Sequence, residues 1–326
     1  MNDTASFNAS PAFLARLRAA DPTVRRLAVL DLPYSDEVDE DDVAPLLVEA
    51  LADGDASVRA EAAKALEGFE DDASVTALAA CLRDADESVR AAAGEVLAEL
   101  KTPAAGQHVL PYLDDGDALV LARALRAVRA LRLPEVLAPA LRLAGHEDAA
   151  VRREAAGVLG YLKDRSAIPV LSTLATADAD ADVRRVALGA LGFDSAVSVL
   201  PSLVRALHDA SWQVREEAAQ TIGKLRGTAA VPELVASLAD PFWQVRTKAV
   251  RSLGLIKARE AVPGIAEQLR HEVSNLRKEA AIALGEIGDQ AAIPALDAVL
   301  NDPDPDVRKL ARLALTSIDL AKRSLA

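Results

Sequence analysis

Cysteine, methionine and aromatic residues are nearly missing from this chain. It holds one cysteine (Cys81), one methionine, two tryptophans, three tyrosines and five phenylalanines in 326 residues. A single cysteine excludes an intrachain disulfide and fits a reducing compartment, so a cytoplasmic location is expected. Aromatics at 3% exclude one large core built on rings. Ala, Leu and Val dominate instead, which suits thin layers packed at close range. No stretch approaches the roughly 18 uninterrupted apolar residues of a membrane span. The start, MNDTASFNAS, has neither the basic region nor the apolar run of a secretory signal. Strand-like alternation is missing, and with it any glycine-rich phosphate loop following a strand.

Basic charge is also scarce, at 37 Lys and Arg against 50 Asp and Glu. The deficit lies early. Residues 1–120 hold 9 basic and 25 acidic residues, whereas residues 121–326 hold 28 and 25. An acidic chain lacks the basic footprint of general nucleic-acid binding, so no nucleic-acid partner is expected.

What the chain does have is a repeat. A kernel, V-R-x-x-A followed by small and apolar residues, begins at Val24, Val58, Val89, Val120, Val151, Val183, Val214, Val245, Leu276 and Val307. The period is 31 residues, with one spacing of 34 and one of 32. Such regularity means one supersecondary unit stacked repeatedly. In DASWQVREEAAQTIGKL, the positions Val214, Ala218, Ala219, Ile222 and Leu225 form the apolar stripe of an amphipathic helix. Asp240-Pro241 and Asp304-Pro305 read as helix starts, Asp as the cap and Pro as the first helical residue. A second helix precedes each kernel, opened by proline in PELVASL, PGIAEQL and PALDAVL. The expected fold is therefore all-α, an α-solenoid of about ten helix pairs, A then B, in which stacked neighbours supply the core. Residues 1–10 are expected as a flexible tail, and residues 11–326 as a single continuous array.

The pattern D-x-x-V-R-x-x-A-A-x-A-L-G followed by A-I/V-P-x-L resembles the short HEAT repeat of the phycobilisome-lyase type, from about Pro11 to the end. LRKEAAIALGEIGDQAAIPALDAVL shows it most fully. The tetratricopeptide and ankyrin signatures are absent. The resemblance implies a concave face formed by B helices.

Several features depart from the repeat. Between the first two repeats lies DLPYSDEVDEDD (31–42), seven of whose twelve residues are acidic. It reads as acids gathered before a helix N-terminus, where the dipole favours them, or as a cation site or docking loop, although no calcium-loop pattern is present. Repeat four replaces the kernel arginine with Leu121 and places Arg123, Arg126, Arg129 and Arg132 three apart. Gly157 and Gly189 fall mid-helix at one offset and suggest a close approach. Trp212 and Trp243 share an offset in adjacent repeats, with Phe242 beside the second. They read either as an aromatic anchor pair or as filler between two turns.

The kernel arginine occurs in nine repeats, and Asp precedes the kernel by three positions in seven, among them Asp21, Asp55, Asp86, Asp117, Asp148, Asp180 and Asp304. Each arginine is expected to pair with a turn carboxylate or carbonyl of its own or the next repeat. On the B helices, kernel offsets 2, 3 and 6 are expected to face away from the A helices. From repeat four to nine these positions hold Arg123, Arg126, Arg153, Arg185, Lys248, Arg251 and Lys278, interspersed with Glu154, Glu216, Glu217 and Glu279. Such a face is either an ordinary mixed-charge surface or a site for carboxylate, phosphate or aromatic partners.

Chemistry finds little footing. The HEAT-like deoxyhypusine hydroxylases bind iron through His-Glu pairs after the V-R. The matching positions here are Arg153-Glu154, Glu216-Glu217 and Lys278-Glu279, without a histidine. His146-Glu147 and His271-Glu272 lie in turns four repeats apart, too far to share an ion at about 10 Å per layer. His108 and His208 are equally scattered. Cys81, in ALAACL, reads as a small buried hydrophobe. The expected role is a non-enzymatic protein-binding scaffold or adaptor without a cofactor. Its concave face would take another protein, for example an acidic or phosphorylated segment, through Arg123, Arg126, Arg153, Arg185, Trp212, Trp243, Lys248 and Arg251. The resemblance implies a second reading, a bilin lyase or pigment-protein chaperone. A third is a HEAT-like DNA glycosylase, which the net charge of −13 opposes.

Overall fold

A computed structural model describes residues 7–323. The chain divides into two compact units, Met1–Leu162 and Lys163–Ala326. The first contains α1 (Pro11–Leu17), α2 (Pro22–Asp31), α3 (Glu40–Ala50), α4 (Ala56–Ala65), α5 (Asp72–Ala80), α6 (Glu87–Leu97), α7 (Pro103–Gln107), α8 (Ala118–Val128), α9 (Leu137–Leu143) and α10 (Ala149–Leu162). The second contains α11 (Ile168–Ala177), α12 (Ala181–Ala190), α13 (Ala196–Ala206), α14 (Trp212–Lys224), α15 (Val231–Ala236), α16 (Trp243–Ile256), α17 (Val262–Gln268), α18 (Ser274–Ile287), α19 (Ile293–Ala298) and α20 (Pro305–Arg323). Among the described residues there is no strand, only an isolated antiparallel bridge between Ala9 and Val38.

All ten kernels open even-numbered helices, and within each unit successive even helices pack on one another. Each unit is thus a stretch of all-α solenoid built from helix pairs. Val214, Ala218, Ala219 and Ile222 are fully buried, so the stripe predicts the core; Leu225 is half-buried at the cap of α14. Kernel apolar residues are buried throughout except Val24, which is 36% exposed because no earlier B helix packs against α2 in this structure.

The helix starts explain the recurring aspartates. The carboxylates of Asp21, Asp55, Asp86, Asp117 and Asp180 accept amide hydrogens of the first turn of the helix that follows, which satisfies donors with no partner inside the helix. Asp304-Pro305 behaves as expected, with α20 beginning at the proline. Asp240-Pro241 does not. Phe242 is the N-cap of α16, and Asp240 instead accepts the Phe242 amide from inside the turn. The B helices close at one register as well. Arg132, Arg226, Lys257 and Gly288 all stand twelve residues past a kernel and adopt positive φ, the left-handed cap of a helix C-terminus.

At Gly189 the close approach is made by a side chain. A Cβ at Gly189 would meet the end of the Glu217 side chain, with Oε1 at 3.2 Å and Cδ at 3.7 Å. Nine residues past the kernel, however, a Cβ at Gly254 would lie 2.9 Å from the Cα of Ala283, and one at Gly285 would lie 2.9 Å from the Cα of Ala314. These glycines let α16 meet α18, and α18 meet α20, backbone to backbone.

Of the expected tail, residues 1–6 lie outside the described residues. Asn8 to Ser10 are tied down: the Asn8 amide donates to Asp42, the Asp39 amide donates to the Asn8 carbonyl, and the Ser10 hydroxyl donates to Glu37. The acidic loop supplies two of these acceptors, Asp42 and Glu37, and one donor, the Asp39 amide. Asp39 also caps α3, whose first turn carries Glu40, Asp41 and Asp42.

Candidate functional site

Along the turns of both units runs a set of arginine rungs. Arg59 gives the pattern. Its Nε and Nη2 each donate to Asp84 at 2.8 Å, and its Nη1 donates to the Asp53 carbonyl at 2.8 Å. Arg25–Asp53, Arg184–Asp209, Arg215–Asp240 and Arg277–Asp302 repeat the two-bond pairing at 2.7–3.0 Å. Four of these partners lie 25 residues on and Asp53 lies 28 on, in the turn of the next helix pair. The pairing aspartate thus stands five positions before the next kernel, whereas the aspartate three before it is the cap. The signal was present in the sequence, since position −5 is Asp at 53, 84, 115, 178, 209, 240 and 302.

Parallel bonds from a planar guanidinium to a carboxylate are strong because both charge and geometry match. Arginine hydrogen bonds hold the Asp53, Asp84 and Asp302 carboxyls below the usual range. At Asp209 burial pushes upward, and the Arg184 hydrogen bond and the Ser211 amide outweigh it, so its carboxyl is lowered too. One rung is diverted: Arg83 takes Asp115, and Arg90 turns to Glu87 within its own helix.

The B-helix face is a mosaic of opposite charges. Arg123 reaches back to Glu87 and lies over Gly94, where a Cβ would stand 2.9 Å from its Cδ. Its Nη1 is buried without a hydrogen-bond partner. Arg153 and Arg129 both approach Glu154, at 3.3 and 3.4 Å. Arg185 pairs with Asp182 at 3.2 Å, Lys248 lies 4.0 Å from Glu216, and Arg251 bonds Glu279 at 2.9 Å. Lys278 bonds Asp304 at 2.9 Å and pushes its carboxyl down to about 2. Arg126 is exposed and has no ion pair among the described residues, and it lines a cavity of about 300 Å³ with Lys64, Glu67, Glu95 and Glu99. Sequence alone does not show this pairing, which depends on how side chains of neighbouring helices turn.

In the second unit the tryptophans do not stack on each other. Trp212 stacks on Phe242, with ring centroids 5.6 Å apart and planes inclined by 14°. The Arg215 guanidinium lies over the same Phe242 ring at 5.7 Å. Phe242 remains 41% exposed, and Trp243 is half-buried. A ring pair and a cation therefore form a fixed shelf at the turn between the seventh and eighth helix pairs.

Cys81 caps α5 and is buried, which pushes its thiol up to about 11. His108 contacts Asp72 and Thr76, whereas His146 and His271 each accept a turn amide through Nδ1. Among the described residues no three His, Cys, Asp or Glu side chains gather as a metal-ligand set.

The sequence matches none of the curated proteins. Among solved structures, an engineered protein is 22% identical over 94% of this chain and 98% of its own, with a TM-score of 0.52. The YibA protein of E. coli is 18% identical over 92% and 97%, also at 0.52. Kap95p, solved with RanGDP, is 15% identical over 94% of this chain and 51% of its own, at 0.64. At these identities the likeness is one of fold. The family model for HEAT repeats matches residues 10–98, 106–192, 168–241 and 231–316, and the chain therefore belongs to the HEAT-repeat family.

Proposed function

We propose that the chain is a non-enzymatic scaffold that holds a segment of another protein. The observation that carries this reading is the Trp212–Phe242 stack. Trp and Arg dominate interface hot spots, and here two rings and Arg215 are held in place before any partner arrives. Low rotamer freedom reduces the entropy lost on binding. The cations of the B-helix faces, with Arg126 unpaired among the described residues, suit acidic or phosphorylated groups at the periphery. Arg123, Arg153, Arg185, Lys248 and Arg251 would exchange an internal carboxylate for a partner's, and Trp243 would extend the aromatic edge.

Binding fits the residues better than catalysis. A thiol at about 11 is protonated at neutral pH and is a poor nucleophile. No helix among the described residues is long and apolar enough to cross a membrane. The kernel V-R-x-x-A-A-x-A-L-G supports the finer proposal that the repeats are of the phycobilisome-lyase type, and the cysteine usage supports a cytoplasmic location. Kap95p, whose binding alters the switch loops of RanGDP, illustrates such a role in another HEAT-like chain.

The test is affinity capture from the native cell with the parent and with Phe242→Ala, Arg126→Ala, Arg153→Ala and Arg185→Ala, and thermal unfolding alongside. The three arginine variants should fold within about 0.5 kcal/mol of the parent. Loss of a hot spot should weaken the captured complex by on the order of 2 kcal/mol. Equal affinity for all four variants would move the docking surface elsewhere.

A further inference from the structure

In the five rungs described above an arginine fork meets a carboxylate, and donors face acceptors. The step from the eighth helix pair to the ninth departs from this. Arg246 holds the arginine position, but residue 271, at the aspartate position, is histidine. His271 keeps only part of the aspartate's role. Its Nδ1 accepts the Val273 amide at 3.0 Å, as Asp240 accepts the Phe242 amide at 2.9 Å. A neutral imidazole that accepts at Nδ1 carries its proton on Nε2. At this sequence position the turn therefore offers one donor, Nε2, where the rungs described above offer two carboxylate acceptors.

Arg246 responds by rotating. In the rungs Nη1 takes the carbonyl, and Nε and Nη2 take the aspartate. Here it is Nε that donates to the Asp240 carbonyl, at 2.5 Å. Among the described residues Arg246 makes no ion pair, its one side-chain bond being that to the Asp240 carbonyl, and the Asp240 carboxylate is already committed to Arg215. The first unit meets the same histidine at position 146, which also accepts a turn amide through Nδ1. There, however, the facing position is Leu121. Loss of the carboxylate is matched by loss of the arginine in one place, and in the other the arginine stays.

We propose that Arg246 and His271 form a binding site for one oxyanion group, a carboxylate or a phosphate, which occupies the place of the missing aspartate. Such a group accepts from Nη1 and Nη2 of Arg246, which the Asp240 carbonyl leaves unused, and from Nε2 of His271, and it restores the donor–acceptor match of the other rungs. The reading stands apart from the aromatic shelf and does not depend on it.

The test is thermal unfolding at neutral pH in millimolar inorganic phosphate and, separately, acetate, with ionic strength held by chloride. The parent should show a saturable rise of about 2 °C in one or both anions. Phosphate alone would mark a tetrahedral ligand, and acetate a carboxylate. Arg246→Leu, which copies Leu121, and His271→Asp, which rebuilds the rung, should both abolish the rise. His271→Asp should also melt higher than the parent without added anion, so loss of response cannot be confused with loss of fold. Arg308→Leu should keep the response, because Arg308 holds two turn carbonyls through Nη1 and faces no histidine. No saturable rise in either anion, or an equal rise in Arg246→Leu and His271→Asp, overturns the proposal.

Discussion

Asp240 accepts two bonds from Arg215, at 2.7 Å from Nε and 3.0 Å from Nη2, and the side chains are only 9% and 12% exposed. The third arm of the same guanidinium holds the Asp209 carbonyl at 2.8 Å. One side chain thus ties its own turn to the turn of the next helix pair. Arg215→Leu leaves a largely buried carboxylate without its counter-charge, and should cost about 3 kcal/mol. Arg215→Lys should recover little of this, because an ammonium cannot make both parallel bonds. Arg246→Leu, which removes no ion pair, should cost less than about 1 kcal/mol. Urea unfolding of the three variants checks the order, and equal costs at Arg215 and Arg246 would mean the carboxylate bonds contribute nothing.

Acid should weaken the protein through these rungs. The folded-state carboxyls of Asp53, Asp84 and Asp302 lie below the ordinary value because arginine donors stabilise their charge, and Lys278 holds Asp304 at about 2. A depressed folded pKa gives stability that is complete above the unfolded value of about 3.9 and is lost as pH falls through the folded value. The urea midpoint should therefore be flat above about pH 5 and fall between about pH 4 and 2. Asp84→Asn should be less stable than the parent at neutral pH and lose less on acidification. A parallel acid profile for the two proteins would remove the rungs from the explanation.

Glycine to alanine should have opposite signs at two sites. At Gly254 the new methyl would meet the Ala283 backbone, which cannot move without shifting α18, so the cost is about 1–3 kcal/mol. At Gly189 the only neighbour is the end of the Glu217 side chain, and alanine gains up to about 1 kcal/mol of helix propensity. Melting temperatures of Gly254→Ala and Gly189→Ala should lie below and above the parent respectively, and a common direction would contradict the packing described.

The helices were legible because burial periodicity and capping are local: a stripe at offsets 0, 4, 5 and 8 has to face a neighbour, and Asp before it has to cap. Interactions between neighbouring pairs were less legible. Aspartates at −3 and −5 look alike in composition, and only the reach of an arginine from the preceding pair distinguishes the cap from the rung. The candidate docking face suffered most. Arg123 stands at an offset that predicts solvent, yet it folds back over Gly94 to Glu87, because a glycine one pair earlier leaves room for its stem. Likewise, Trp212 and Trp243 share an offset, but the ring that meets Trp212 comes from Phe242, one residue earlier in the next turn. Equal offsets place side chains in parallel, whereas contact requires the step between layers.

That step gives a direct test of the aromatic shelf. Stacked rings contribute about 0.5–1.5 kcal/mol beyond the area they bury. A double-mutant cycle of Trp212→Ala and Phe242→Ala should therefore show a coupling of about 1 kcal/mol in urea unfolding. Phe242 also lies under Arg215, so its removal opens the Arg215–Asp240 rung to water, and Phe242→Ala should cost more than Trp212→Ala minus that coupling would suggest. Phe242→Leu separates the two effects. It keeps an apolar cover on the rung and loses the ring, so its coupling to Trp212 should fall well below the alanine value, and the rung should stay protected. Trp243→Ala, whose ring is not in the stack, should be additive with Phe242→Ala. A coupling near zero between Trp212 and Phe242, or one as large between Trp243 and Phe242, would mean that the rings are neighbours without forming a shelf.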